Sequence, residues 1–270
     1  MKQIKSLMTA ALMLVMGIMM TSCLNSDNSP AINYLYVRVQ SSMFGFYYFE
    51  DALGNKFTPT ETSAAEVDAS GFKASETKFA YIAFEFVEET QAASKEVTNE
   101  EYTIKLLGAK SIDGEDVVVA SNQENMEMMA PETAPIGTLK FTDSWGTSAQ
   151  PMLFDLDAVM VPISFYLTND NEKFKMHKLY LACNLEDVKA GDTELVFYVR
   201  HDRGEDENAS VTYAQWYGFD IRSAISEFVN LAGATPSKLI IKAHETSNPT
   251  TEIPEQYQEY EIEYKMPELN

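Results

Sequence analysis

Cysteine is nearly missing from this 270-residue chain, which has two, Cys23 and Cys183. Three histidines (His177, His201, His244) and two tryptophans (Trp145, Trp216) complete a thin supply of the side chains that nucleophilic and zinc-dependent sites use. No P-loop, G-x-G-x-x-G fingerprint, H-E-x-x-H zinc motif or G-x-S-x-G elbow occurs. The residues thus point away from an enzyme and call for no cofactor or metal. Paired carboxylates of the glycosidase kind stay open, because their separation cannot be read from a sequence. Positive charge is scarce too: 20 Lys and Arg stand against 41 Asp and Glu, a net of −21. That balance opposes binding to phosphates, so nucleic acid is not an expected partner. It suits solubility, and it would also suit a protein partner with a basic surface.

The first residues form a short cationic region (Lys2, Lys5) and then an apolar run from Leu7 to Met20. The run is too short for a spanning helix, which needs roughly 20 residues. It ends in Met20, Thr21, Ser22, Cys23, small residues before a cysteine, the pattern that a lipoprotein signal peptidase reads. The alternative is an ordinary secretory signal with a coincidental cysteine, but no A-x-A site follows. Residues 1–22 are therefore expected to be a signal peptide, Cys23 the lipidated membrane anchor, and residues 23–31 a polar tether. No later apolar stretch approaches the length of a span. The expected address is the outer membrane of the cell envelope. The single tether acid, Asp27, slightly favours the periplasmic face over the surface.

With Cys23 consumed by lipid, Cys183 has no partner for an intramolecular disulfide. It alternates with Leu179 and Leu181, as a small buried hydrophobe on a strand would.

The mature 248 residues suit two domains. Strand-like runs rich in Val, Ile, Tyr and Phe occupy 32–39, 44–50, 79–87, 102–109 and 117–120. A second set occupies 138–142, 159–167, 177–183, 194–201, 212–220, 238–244 and 257–265. Residues 122–135, Glu- and Met-rich with Pro131 and Pro135, read as a linker open to proteases. The expected domains are therefore 32–121 and 136–267. Met126, Met128 and Met129 in that linker form either a sticky patch or, as is commoner, a packing contact. Ile221, Ile225, Phe228 and Val229 fall at helical spacing, with Asp220 to cap and Gly233 to end one short helix. Residues 59–78 are small and polar, and read as a long loop.

Candidate binding residues cluster in the second half. Strands 177–183 and 194–201 are sequential and so expected as an antiparallel pair. A turn symmetric about Lys189 sets His177 opposite His201 at the end of an apolar face, and Lys178 opposite Arg200. The like-charge pair argues for a slip in register. Asp202 and Asp206 lie close enough to hydrogen-bond the two histidines, either as a polar cap on the sheet or as a binding cluster. The acidic loop from Asp202 through Asn208 has oxygen ligands for Ca²⁺ but lacks EF-hand spacing, and a solvated hairpin tip is the plainer reading. Trp216, with small strand mates Ala214 and Gly218, is a candidate aromatic contact for a glycan. Trp145 and Trp216 are otherwise core or interface anchors.

Tyr47 to Phe57 (YYFEDALGNKF), Tyr81 to Val87, His177-Lys-Leu-Tyr-Leu181, Leu195 to Asp202 (LVFYVRHD) and Tyr217-Gly-Phe-Asp-Ile221 resemble segments of the NigD-like lipoproteins of Bacteroidetes. The resemblance implies a lipobox, an N-terminal OB-type barrel and a C-terminal antiparallel β-sandwich, all-β throughout. It also implies a non-catalytic, immunity-type role, from the bacteriocin-associated locus that names the family. An OB groove also admits oligosaccharides, so a glycan binder or processor is the second class. Residues 31–135 hold seven basic and 18 acidic side chains, which sets the nucleic-acid use of such a groove aside.

Lipidation is directly testable. Palmitate should label the wild-type chain, while Cys23→Ala should be unlabelled and leave the detergent phase. A labelled, detergent-partitioning variant would overturn the anchor.

Overall fold

A computed structural model describes residues 31–41, 46–87, 100–142 and 148–266. The signal segment, Cys23, the tether up to residue 30 and Trp145 lie outside the described residues. Contacts divide the chain into two compact units between Asp113 and Gly114.

In the first unit, β1 (Asn33–Ser41), β2 (Tyr47–Glu50), β3 (Lys56–Pro59), β4 (Phe79–Phe86) and β5 (Glu101–Ser111) close into a barrel of order β1-β2-β3-β5-β4. Side chains alternate across each strand. Tyr102, Ile104 and Leu106 of β5 therefore point inward with Val37, Phe49, Phe57, Ile82 and Phe84, while Glu101, Thr103 and Lys105 point out. The β2–β3 turn is built on a buried carboxylate. Asp51 Oδ1 accepts the N–H groups of Leu53 and Asn55, Oδ2 accepts Asn55 Nδ2, and Gly54 takes the left-handed φ of 80° that the turn requires.

Residues 59–78 are not a bare loop, as their composition suggested. Thr60 caps α1 (Glu61–Ala69), and a 3-10 turn follows at Ala74–Glu76. Val67 and Phe72 enter the barrel core, and the buried Ser63 hydroxyl accepts the N–H of Leu106 beside a bulge in β4–β5. Two apolar residues and one hydroxyl anchor the segment, too few to register as an amphipathic pattern.

The second unit is a sandwich. Sheet β13-β10-β9 comprises β9 (Met152–Asp155), β10 (Ala158–Leu167) and β13 (Val211–Asp220). The other sheet, β15-β14-β12-β11-β6, comprises β6 (Val118–Ala120), β11 (Lys178–Asn184), β12 (Glu194–Asp202), β14 (Lys238–Ala243) and β15 (Gln258–Glu263). A small hairpin of β7 (Phe141–Thr142) and β8 (Ser148–Ala149) stands apart. One core lies between the sheets, with Val159, Val161, Ile163 and Phe165 from one side and Leu181, Cys183, Phe197, Val199, Leu239 and Ile241 from the other. Cys183 is sealed in it, and burial pushes its thiol up to about 12.

The sandwich is antiparallel only in part, since β6 pairs with β11 and β12 with β14 in parallel. Parallel neighbours need a long crossover. Between β12 and β14 the chain supplies one by crossing to β13 and returning through α4 (Arg222–Ala232). That is the helix expected from its spacing. Ala224, Phe228 and Ala232 are buried, Ile221 sits at the cap position, and Gly233 closes the helix at φ 85°.

The expected linker is also corrected. Val118–Ala120 is a strand of the sandwich, and α2 (Gln123–Met129), capped by the Asn122 side chain, packs Met126 against Val118, Ala120 and Ala182. Met128 and Met129 face solvent. A further helical turn, α3 (Asn171–Phe174), completes the unit.

Gly114 donates to the Gly218 carbonyl, and Glu115 to that of Leu179, so the start of this unit is tied to both sheets. A Cβ at Gly114 would lie 2.0 Å from the buried Phe219 ring. Gly114→Ala should therefore cost about 1–3 kcal/mol in urea unfolding, because a packed aromatic ring must move. Wild-type stability in this variant would show that the ring yields freely.

Candidate functional site

The hairpin β11–β12 does not take the symmetric register. Leu179 faces His201, Tyr180 faces Arg200, and Lys178 faces Asp202, a shift of two residues that replaces the like-charge pair with an opposite-charge one. His177 and His201 are then diagonal neighbours on one face, within reach of side chains of this length. Their rings still meet. His177 Nδ1 lies 2.8 Å from His201 Nε2, with ring centroids 5.1 Å apart.

The other end of His177 meets Asp206, whose Oδ2 is 3.1 Å from His177 Nε2. Asp206 is held in place by Thr168 at the end of β10, which donates its N–H to Oδ2 (2.7 Å) and its hydroxyl to Oδ1 (2.6 Å). His201 Nδ1 points at the carbonyl oxygen of Pro135, 3.4 Å away. Phe165 of β10 covers both imidazoles, at 5.2 and 5.1 Å between centroids, and Phe174 and Tyr213 pack around it. The cluster is sealed: the His177 and Asp206 side chains and the His201 residue are each about 1 % exposed.

Burial would raise the Asp206 carboxyl, but the two Thr168 donors and His177 outweigh it and hold the group down to about 2. Burial, and then the neighbouring His177, lower His201 to about 4, against a small opposing effect of the Pro135 carbonyl.

Of the residues singled out in the sequence, His177, His201 and Asp206 come together. Asp202 does not join them; its carboxylate accepts the Thr133 hydroxyl and the N–H of Gly204. Asp206 turns inward, so the loop from 202 to 208 is not a ring of solvent-facing ligands. Among the described residues no group of three His, Cys, Asp or Glu is arranged to hold a metal. Trp216 stands across from Pro162, on the face of β13 opposite to Tyr213, Tyr217 and Phe219, and has no part in the cluster.

A second buried set lies on the other face of β12. Arg200 Nε donates to the Ala130 carbonyl (2.5 Å), and its guanidinium lies 3.7 Å from Glu132. Glu132 Oε1 also meets His244 Nδ1 at 2.9 Å, and Tyr257 stacks on that imidazole at 3.8 Å. Sequence reasoning missed Glu132, Arg200, Tyr257, Thr168 and Pro135. Only the scarcity of histidine marked His244.

Both sets are closed by one segment, residues 130–136. Thr133 and Ala134 donate to the His201 carbonyl, Ile136 donates to that of His244, and Thr133 Oγ1 accepts the N–H of Arg203. It is a strap across the ends of β12 and β14. Beside it a cleft is lined by Pro135, Tyr166, His201, Arg203, Glu207 and Thr250. Each ring nitrogen of His177 and His201 faces a protein atom. The arrangement can hold protons and fasten the strap.

No family model and no curated protein matches the sequence. Solved structures do. A candidate lipoprotein of Bacteroides fragilis superposes with a TM-score of 0.70 at 24% identity, covering 88% of this chain and 100% of that one. A candidate toxin-related protein of Parabacteroides distasonis gives 0.53 at 12% identity over 87% and 94%. A NigD-like immunity protein of Bacteroides caccae gives 0.51 at 10% over 87% and 94%. The fold is thus shared with a candidate lipoprotein and with a NigD-like immunity protein of Bacteroides, in keeping with the resemblance seen in the sequence.

If the strap is fastened as described, limited proteolysis should leave residues 122–135 uncut in the wild type. Glu132→Gln should open the segment and cost about 3 kcal/mol, because it strands the buried Arg200. Early cleavage of the wild type at the strap would overturn the assignment.

Proposed function

We propose that this protein is a lipid-anchored envelope protein that works without catalysis, by binding another protein in the manner of an immunity factor. The fold it shares over nearly its whole described length with a NigD-like immunity protein is the observation that carries the reading. Two features support it. The titratable cluster most like a catalytic site is closed to solvent, with Asp206 and His177 about 1 % exposed. The excess of 41 acidic over 20 basic residues suits a basic partner and steers its approach. Lipid on Cys23 would hold the protein where such a partner arrives, with the outer membrane's periplasmic face as the favoured position.

A second reading, glycan binding, has one observation in its favour. We read the barrel, with order β1-β2-β3-β5-β4 and α1 between β3 and β4, as an OB fold. On the outer side of β1 and β4, Tyr34 (44% exposed) and Tyr81 (36%) are stacked with nearly parallel rings, 5.8 Å apart at 13°, and Tyr36 packs beside Tyr81. The exposed part of this tyrosine cluster is an aromatic surface against which a sugar ring can pack.

Gene deletion separates the two. Deleted cells should be killed more readily by culture fluid of at least one neighbouring Bacteroidales strain, and the wild-type gene, but not Cys23→Ala, should restore resistance. Unchanged killing, together with glycan-array binding that Tyr34→Ala and Tyr81→Ala abolish, would replace the first reading with the second.

A further inference from the structure

Protons can be counted along the buried chain Asp206–His177–His201–Pro135. It contains three contacts: 3.1 Å from Asp206 Oδ2 to His177 Nε2, 2.8 Å from His177 Nδ1 to His201 Nε2, and 3.4 Å from His201 Nδ1 to the Pro135 carbonyl. Each contact becomes a hydrogen bond only with one hydrogen in it. The carbonyl has none to give, and neither has an ionised carboxylate. Two neutral imidazoles bring two hydrogens to three contacts, so in any pair of tautomers one contact sets lone pair against lone pair. At 2.8 Å the ring-to-ring contact cannot be that one. The third hydrogen is better held on a ring than on Asp206, because the two Thr168 donors, one to each oxygen, favour the ionised carboxylate.

We propose that His177 and His201 together bind one proton beyond those of two neutral rings, forming a buried imidazole–imidazolium pair whose counter-ion is Asp206. The triad is then electrically neutral, as a charge sealed from water must be. Every ring nitrogen donates or accepts, and His201 offers its Nδ1–H to the strap at Pro135. The low value of the Asp206 carboxyl agrees with its role as the anion.

The other charged groups around the pair do not supply the missing charge. Arg203 donates to the backbone carbonyl of Asp206, and Asp202 is occupied by Thr133 and Gly204. Glu207 and Tyr166 line the cleft outside His201. From β10 the facing group is the apolar Phe165. Lys173 donates to the Glu205 carbonyl. Arg200 lies on the other face of β12 with Glu132.

The pH dependence has two arms. An unfolded histidine titrates near about 6.5. Above that pH the unfolded chain has shed the proton that the folded pair keeps, so the pair makes folding take up one proton and the folding constant falls about tenfold per unit of rising pH. Between about 6.5 and the value of about 4 to which His201 is lowered, the unfolded chain binds two excess protons and the folded pair one. Acidification through that window then lowers the constant by a similar factor. The pair's contribution is therefore greatest near about 6.5.

Two measurements on the full mature chain test this. Long-range nitrogen–proton correlation spectra of the imidazoles at neutral pH should show one ring protonated on both nitrogens and the other neutral, with its hydrogen on Nδ1 if it is His201 or on Nε2 if it is His177. Two neutral rings, each with hydrogen on Nε2, would overturn the proposal, because two protons would then suffice and the Pro135 contact would be no hydrogen bond. Urea unfolding from pH 5 to pH 9 should show the alkaline fall in wild type, about tenfold per unit, and its loss in Asp206→Asn, which removes the counter-ion. An alkaline arm unchanged in that variant counts against the pair. Should Asp206→Asn fail to fold, the wild-type spectra decide alone.

Discussion

A buried polar atom must find a partner, and at the end of β12 two neighbouring residues put such atoms on opposite faces of one strand. His201 points into the sandwich with two ring nitrogens that water does not reach, while Arg200 points outward with a guanidinium that is also covered. Strand pairing satisfies the backbone there but not these side chains. Their partners come from elsewhere in the chain: Ala130, Glu132 and Pro135 on the strap, and His177 before β11, which Asp206 holds in turn. Residues 130–136 meet that need while their backbone bonds to His201 and His244 and the burial of Ala130, Ala134, Pro135 and Ile136 hold them in place.

The same logic, on a smaller scale, governs the barrel. Asp51 closes the β2–β3 turn, and Asp113 accepts the N–H groups of Lys78 and Phe79 at the start of β4. Burial works against both carboxylates and raises them, while the backbone donors that they accept pull the other way. Some of the acidic excess is thus spent on local structure and does not reach the surface. The rest would remain available to the basic partner proposed above.

These placements also shape the functional reading. A histidine–aspartate cluster met in a sequence invites a catalytic or metal interpretation. Here Phe165 covers it, Thr168 saturates its carboxylate, and the ring nitrogens face one another at a separation with no space for an ion. The proposed function therefore rests on the outer surface, the lipid expected on Cys23 and the exposed tyrosines of the barrel.

Features that depend on neighbours in sequence were legible without coordinates: the strand runs of β5 and β12, the helix ended by Gly233, and the burial of Cys183. Each is decided within a few residues by backbone sterics and by which face must avoid water. The register of β11 against β12 was half legible, because the Lys178–Arg200 clash hinted at a slip while the turn that sets it carried no signal. Tertiary structure alone decided that residues 122–135 are helix and strap, that residues 59–78 cap the barrel, and that Arg200 meets Glu132 across 68 positions. Periodicity records which side of an element is buried. It does not record which distant group completes a buried hydrogen bond, because that choice depends on geometry that exists only once the sheets have packed.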